Sequence, residues 1–270
     1  MFEGDGCMSK GKKILHVLGY LALSGVLGAY FYFAGSLVRE KSQERCQDVV
    51  VVVKDSLENP LIQAGEIATF LENNPLKMLG LNFAEIPMQL LEKEVESFAS
   101  VRQCHAVRTI NGTLRLEILQ HMPLYRIETS GGSFFVSREA FIIPMVNPYR
   151  LPVLVVSGDV PFDYPAAYRG PIESTDMWLQ KMSRLMAYVS DHHFWKEKVQ
   201  CISVAGPRDI TIIPREEHPV LKIGALEQFE YKMNKLLEFY RVLVPRGEMG
   251  KYSAVDARFG NQLVCTRKEI

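Results

Sequence analysis

The chain's six histidines and five cysteines include one adjacent pair, His192-His193, and no C-x-x-C. Two imidazoles that share a metal must point at one ion, but neighbours on a helix diverge by about 100°. The pair reads instead as a helix end, with its rings near the last carbonyls. Glu216-Glu217, just before His218-Pro219, reads as a solvated turn. Asp256 and Arg258 stand two apart in a strand-like run and so share a face. An ion pair or a positional contact fits them better than acid–base work. No G-x-G-x-x-G, P-loop, G-x-S-x-G or H-E-x-x-H occurs. The expectation is a protein that is not an enzyme, with no cofactor, no metal site and no small-molecule substrate.

The 31 basic and 31 acidic side chains cancel, and the pI is near 7.0. A surface that tracks phosphates needs a basic excess, so nucleic acid is excluded as a partner. With 47% hydrophobic and 23% charged residues the chain is an ordinary folded one, neither disordered nor collagen-like.

The apolar residues are unevenly spread. From Ile14 to Val38 there is no Asp, Glu, Lys or Arg. As a helix this segment is about 37 Å long, enough for a hydrocarbon core of about 30 Å. A cleavable signal sequence would have a shorter apolar run and small residues at its end, whereas Phe31-Tyr32-Phe33 are bulky. The expectation is a single-pass anchor over 14–38 after a short cytoplasmic tail, 1–13. Lys10, Lys12 and Lys13 precede the span, against Arg39 and Lys41 mixed with Glu40, which places the N-terminus inside. Gly25 and Ala29 form a small-xxx-small pair that would let a second helix approach.

Beyond the anchor, Cys46, Cys104, Cys201 and Cys265 are far apart in sequence. In an oxidising space they could form two disulfides, but Cys104 and Cys201 lie in strand-like runs, where free, buried thiols are the favoured reading. Cys7 falls on the inner side. Asn111-Gly112-Thr113 matches a glycosylation sequon, although a hairpin turn already accounts for it.

The elements form two modules. The first, 46–121, reads as a Val-rich strand over Gln47–Lys54, helices over Ala64–Leu71 and Glu85–Phe98, and strands over Val101–Ile110 and Thr113–Gln120. Asn111-Gly112 between the last two signals a hairpin, expected as a type I′ turn with positive φ at both residues. The second, 122–270, is richer in β. Strands are expected over 124–129, 133–136, 151–157, 198–204, 209–213 and 220–223. Two long amphipathic helices run through Trp178–Val189 and Leu226–Tyr240, and a closing strand pair covers Tyr252–Phe259 and Gln262–Arg267. The fold class expected is α+β.

This order of parts resembles the FtsQ/DivIB family of bacterial cell-division proteins, in which a POTRA domain precedes a β domain. The resemblance runs from about residue 10 to residue 267. It is carried by the hairpin Val107–Ile118 and the junction His121-Met122-Pro123-Leu124-Tyr125-Arg126, where the family usually has Arg at the position of His121. It is also carried by Leu151-Pro152-Val153-Leu154 and by Val255-Asp256-Ala257-Arg258-Phe259, where Ala257 stands in place of a common Leu.

The resemblance implies a scaffold in the inner membrane at the division site. Such a scaffold binds small single-pass coiled-coil proteins, FtsB/DivIC-like and FtsL-like, and acts through them on the septal wall synthase. In the family the partner pairs with the last strand of the β domain. Here Gln262–Thr266 is the expected last strand and a sheet edge with unpaired N–H and C=O groups. The partner surface expected is therefore Tyr252, Asp256, Arg258, Phe259, Asn261, Gln262, Leu263, Val264 and Cys265. The rival reading is a POTRA-bearing adaptor in outer-membrane assembly or secretion. A wall hydrolase would need a catalytic constellation that the sequence lacks.

Overall fold

The computed structural model describes residues 10–42, 45–54, 61–62, 64–73, 78–145, 151–216 and 218–268. Cys7 and Glu217 lie outside the described residues. The first element is helix α1 (Lys10–Ser42). Its stretch Leu18–Gly35, with a mean hydropathy of 1.3, has none of its residues buried. Among the described residues this is the one helix long and apolar enough to cross a membrane.

The chain, α1 included, divides into two compact units. One gathers residues up to Val52 with Ala64–Lys93 and His105–Glu117, and the other Val53–Gln63, Glu94–Cys104 and Ile118–Ile270. The first module's elements are β1 (Asp48–Val53), α2 (Ala64–Asn73), α3 (Met88–Glu96), β2 (Val101–Arg108) and β3 (Thr113–Gln120), with strand order β1-β3-β2. The central strand, β3, buries Leu114, Leu116 and Ile118 completely on one face. The five valines of β1, at an edge, are at best half-buried. Helix α3 starts at Met88 rather than at Glu85 because Pro87 occupies the entry, a position that proline favours.

The Asn111-Gly112 hairpin forms, but not as a type I′ turn. Gly112 has φ +72 and Asn111 has no positive φ. Thr109 N–H donates to Thr113 O at 2.9 Å and Gly112 N–H to Thr109 O at 3.3 Å. This is a three-residue loop with its left-handed residue last, which asks for glycine at one position only.

The second module holds a ten-stranded sheet. Its strands are β4 (Pro123–Thr129), β5 (Gly132–Ser137), β6 (Phe141–Pro144), β7 (Leu154–Gly158), β8 (Gly170–Pro171), β9 (Val199–Val204), β10 (Ile210–Pro214), β11 (Val220–Lys222), β12 (Tyr252–Asp256) and β13 (Val264–Arg267). They lie in the order β13-β12-β11-β10-β9-β7-β4-β5-β6-β8. Three neighbouring pairs are parallel: β4 with β7, β7 with β9, and β11 with β12. Each such pair needs a crossover, and the helices supply two of them. Helices α4 (Met177–Asp191) and α5 (His193–Lys198) lead into β9, and α6 (Phe229–Leu243) leads from β11 to β12.

Leu179, Met182, Leu185, Met186 and Val189 of α4 share one core with Met233, Leu236 and Tyr240 of α6 and with Ile202, Ile212 and Val255 of the sheet. Trp195 of the short α5 is fully buried in the same core. Gly158 closes β7 at φ +106, and a Cβ there would stand 2.2 Å from Val204 O. The close approach of β7 to β9 thus depends on glycine.

Several expectations need correction. β6, β8 and α5 were not expected. The strand expected over 151–157 begins at Leu154, after Pro152. His192 does stand at a helix end, as the C-cap of α4 with its backbone N–H on Tyr188 O at 3.0 Å, but its imidazole serves the next helix: Nδ1 accepts the Phe194 N–H at 3.2 Å and so caps the start of α5. A neutral imidazole suits that role, and burial, with His193 beside it, pushes the His192 pKa down. Glu216 is not merely solvated: it takes Lys198 Nζ at 2.6 Å and His218 Nε2 at 3.1 Å. As expected, Cys46, Cys201 and Cys265 are free thiols among the described residues; Cys46 and Cys104 are buried, and Cys201 and Cys265 half-buried.

Candidate partner-docking edge

The sheet edges differ in how they are finished. At β2, helix α3 covers the outward donors with carboxylates: Glu96 Oε1 accepts Cys104 N–H at 3.0 Å, and Glu92 Oε1 accepts Ala106 N–H at 2.7 Å. Residues four apart on a helix thereby match residues two apart on a strand. At the far end of the large sheet β8 is only Gly170–Pro171, and a two-residue strand with a proline offers little to pair with. At the opposite end lies β13. It pairs antiparallel with β12, Val255 opposite Cys265 and Asp256 opposite Val264, and no strand lies beyond it among the described residues.

Along this edge the side chains alternate. Leu263 and Cys265 pack against the core, while Val264, 44% exposed, and Thr266 point away from it. The strand starts at Val264, not at Gln262 as the sequence led one to expect. Of the nine residues expected at a partner surface, Tyr252, Asp256, Val264 and Cys265 lie in the two strands. Arg258, Phe259, Asn261, Gln262 and Leu263 lie in the connector between them. Phe259 is 45% exposed. Tyr252 is half-buried, with its ring 6.1 Å from that of Phe239.

Asp256 and Arg258 do form an ion pair, but through a turn and not across a strand face. β12 ends at Asp256, and the Asp256 carboxylate takes both the backbone N–H of Arg258, at 3.0 Å, and its guanidinium. Burial works to raise the Asp256 carboxyl, but the Arg258 hydrogen bonds outweigh it and hold it below the usual carboxylate range. Gly224 (φ +65) lies under this pair. A Cβ there would stand 2.7 Å from Arg258 Cδ.

Sequence reasoning missed two residues that shape the edge. Lys235 Nζ of α6 donates to the connector carbonyls of Ala257 (3.0 Å), Phe259 (2.5 Å), Gly260 (2.7 Å) and Gln262 (3.3 Å). Tyr231, one turn earlier, places its hydroxyl 2.9 Å from Asn261 Oδ1. Their i,i+4 spacing on the outer face of an amphipathic helix was visible in the sequence, but nothing local to it points to residues 257–262.

The arrangement offers backbone donors and acceptors beside an apolar and polar alternation. Among the described residues no group of three His, Cys, Asp or Glu side chains is placed to hold a metal ion. The edge can pair with a strand.

A family model described as a POTRA-like domain matches residues 44–119. One described as FtsQ/DivIB, C-terminal related, matches residues 122–266, more than half of the chain. The chain belongs to the FtsQ/DivIB family. That family is of the divisome type and generally non-enzymatic. No curated protein matches the chain.

Proposed function

We propose that the chain is a non-catalytic, single-pass scaffold of the bacterial divisome. Its N-terminus lies in the cytoplasm, and its two modules lie outside the inner membrane at the division site. There it binds an FtsB/DivIC-like protein, and with it an FtsL-like one, coupling division to the septal wall synthase. Membership of the family and the exposed apolar helix α1 support the class and the anchor. The observation that carries the docking mode is the open edge at β13, in contrast to the carboxylate-capped β2 and the two-residue β8. A strand added there draws affinity from main-chain bonds and specificity from the alternating Val264 and Thr266 side chains.

The test is co-purification of the FtsB/DivIC-like partner with full-length Val264→Pro and Cys265→Pro chains. N–H groups alternate in direction along a strand, so one of these prolines removes an outward donor and the other a bond to β12. The expected result is that the outward substitution abolishes the complex while the chain remains folded. A complete complex with both folded variants overturns the docking mode. Depletion tests the wider role: filamentous cells are expected, whereas loss of outer-membrane barrel proteins would favour the POTRA-adaptor reading.

A further inference from the structure

The connector before β13 has little backbone order of its own. Among the described residues, Ala257 N–H bonds to Lys222 O, and no other main-chain to main-chain bond involves residues 257–263. Side chains do the ordering instead. Arg258 is tied back to Asp256. Four carbonyls turn inward onto the single ammonium of Lys235, at 2.5 to 3.3 Å. An ammonium has three protons, so the four oxygens share them, and the site is fully used. The Tyr231 hydroxyl holds Gly260 O at 3.3 Å as well as Asn261, and its ring lies 5.2 Å from Lys235 Nζ.

We infer that Lys235 is a positioning residue for the docking edge: by gathering the 257–262 carbonyls it pre-orders β13, so that a partner strand meets an edge already in register. This rests on the strand-addition reading above. A strand of only four residues at a sheet edge, entered from a connector without its own bonds, would otherwise have to be ordered at the moment of binding, and that ordering lowers affinity.

The charged and titratable groups around Lys235 are Asp256 and its partner Arg258 on the β12 side, and Tyr231 and Lys232 on α6. Burial pushes the Lys235 ammonium down from the usual lysine range, and Asp256 opposes that shift without cancelling it. The clamp is therefore lost, as pH rises, earlier than one built on an ordinary lysine would be.

The experiment compares full-length wild type, Lys235→Met and Tyr231→Phe in lipid nanodiscs, with the FtsB/DivIC-like protein of the same cells as the probe. Deuterium uptake by Val264–Arg267 in the free proteins is expected to be about tenfold faster in Lys235→Met, with uptake by β4 and β5 unchanged as the measure of an intact fold. Partner affinity is expected to fall about tenfold, and by less in Tyr231→Phe. The wild-type affinity is expected to decline with rising pH before the usual lysine range is reached, while that of Lys235→Met stays flat. A lysine with a merely structural role would not give that difference in pH profile. Unchanged uptake in β13 overturns the inference, and so does faster uptake with unchanged affinity. If neither Val264→Pro nor Cys265→Pro disturbs binding, strand addition itself has failed, and the positioning role falls with it whatever the uptake shows.

Discussion

The Arg258 guanidinium closes on the carboxylate of Asp256 two residues earlier, with Nε 2.9 Å from Oδ1 and Nη2 2.5 Å from Oδ2. The pair ends β12 and turns the chain into the connector that leads to β13. Asp256→Asn is expected to cost about 1 kcal/mol, at the low end for a charged hydrogen bond because the Arg258 side chain is 45% exposed. The folded carboxyl titrates below its unfolded value, so its contribution is present above about pH 4 and is lost as pH falls through the folded value. Thermal unfolding at pH 7 and pH 3 should show the wild type's advantage over Asp256→Asn shrinking in acid. An advantage that persists at pH 3 would contradict the assignment.

His121, at the junction of the two modules, is 5% exposed and stacked on Phe141 at 4.1 Å, and its Nδ1 has no partner. Burial pushes its pKa down. The fold thus favours the neutral ring, and stability is full above the unfolded histidine value and falls as pH drops toward the folded one. His121→Phe keeps the stack and removes the titration. Between pH 7 and pH 5 the variant should lose less in melting temperature than the wild type; equal losses would rule out His121 as the cause.

Gly158 leaves no room for a side chain, because its Cβ position is 2.2 Å from Val204 O. Gly158→Ala must displace β7 from β9 in the middle of the large sheet, and at φ +106 it also strains the backbone. Denaturant unfolding should register a loss of about 3 kcal/mol. A loss under about 1 kcal/mol would show that the two strands separate easily.

The four thiols beyond α1 are expected to react in order of exposure. Cys46 and Cys104 are buried, while Cys201 and Cys265 are half-buried, and burial raises the thiols of Cys46, Cys201 and Cys265. In a Cys7→Ser background a neutral thiol reagent should modify Cys201 and Cys265 well before the other two. Adding the FtsB/DivIC-like partner should slow Cys265 alone, because only that residue lies on β13. Equal protection of Cys201 would point to a different footprint.

What could be read in advance was whatever local pattern encodes. The charge-free run from Ile14 to Val38, the 3.6-residue periodicity of α4 and α6 and the Asn111-Gly112 turn each declare themselves within a few residues. β8 is two residues long and α5 six, too short for any periodicity. The turn type at Asn111-Gly112 went astray because Gly112 alone supplies the left-handed residue that the loop requires. The spacing of Asp256 and Arg258 announces a pair, but nothing in it marks the end of β12, so their meeting through a turn and not as strand neighbours is not legible. The Lys235 clamp joins residues 22 to 27 apart in sequence, and such a contact exists only once the α6 crossover has brought helix and connector together.

The central claim is that a partner strand lies along β13. A photo-reactive residue placed at Thr266, exposed on that strand, tests it most directly in growing cells, with the same residue at Pro171 on β8 as the comparison. The account predicts a cross-link from Thr266 to the FtsB/DivIC-like protein and none from Pro171. An intact complex that cross-links from Pro171, or from neither position, would contradict it.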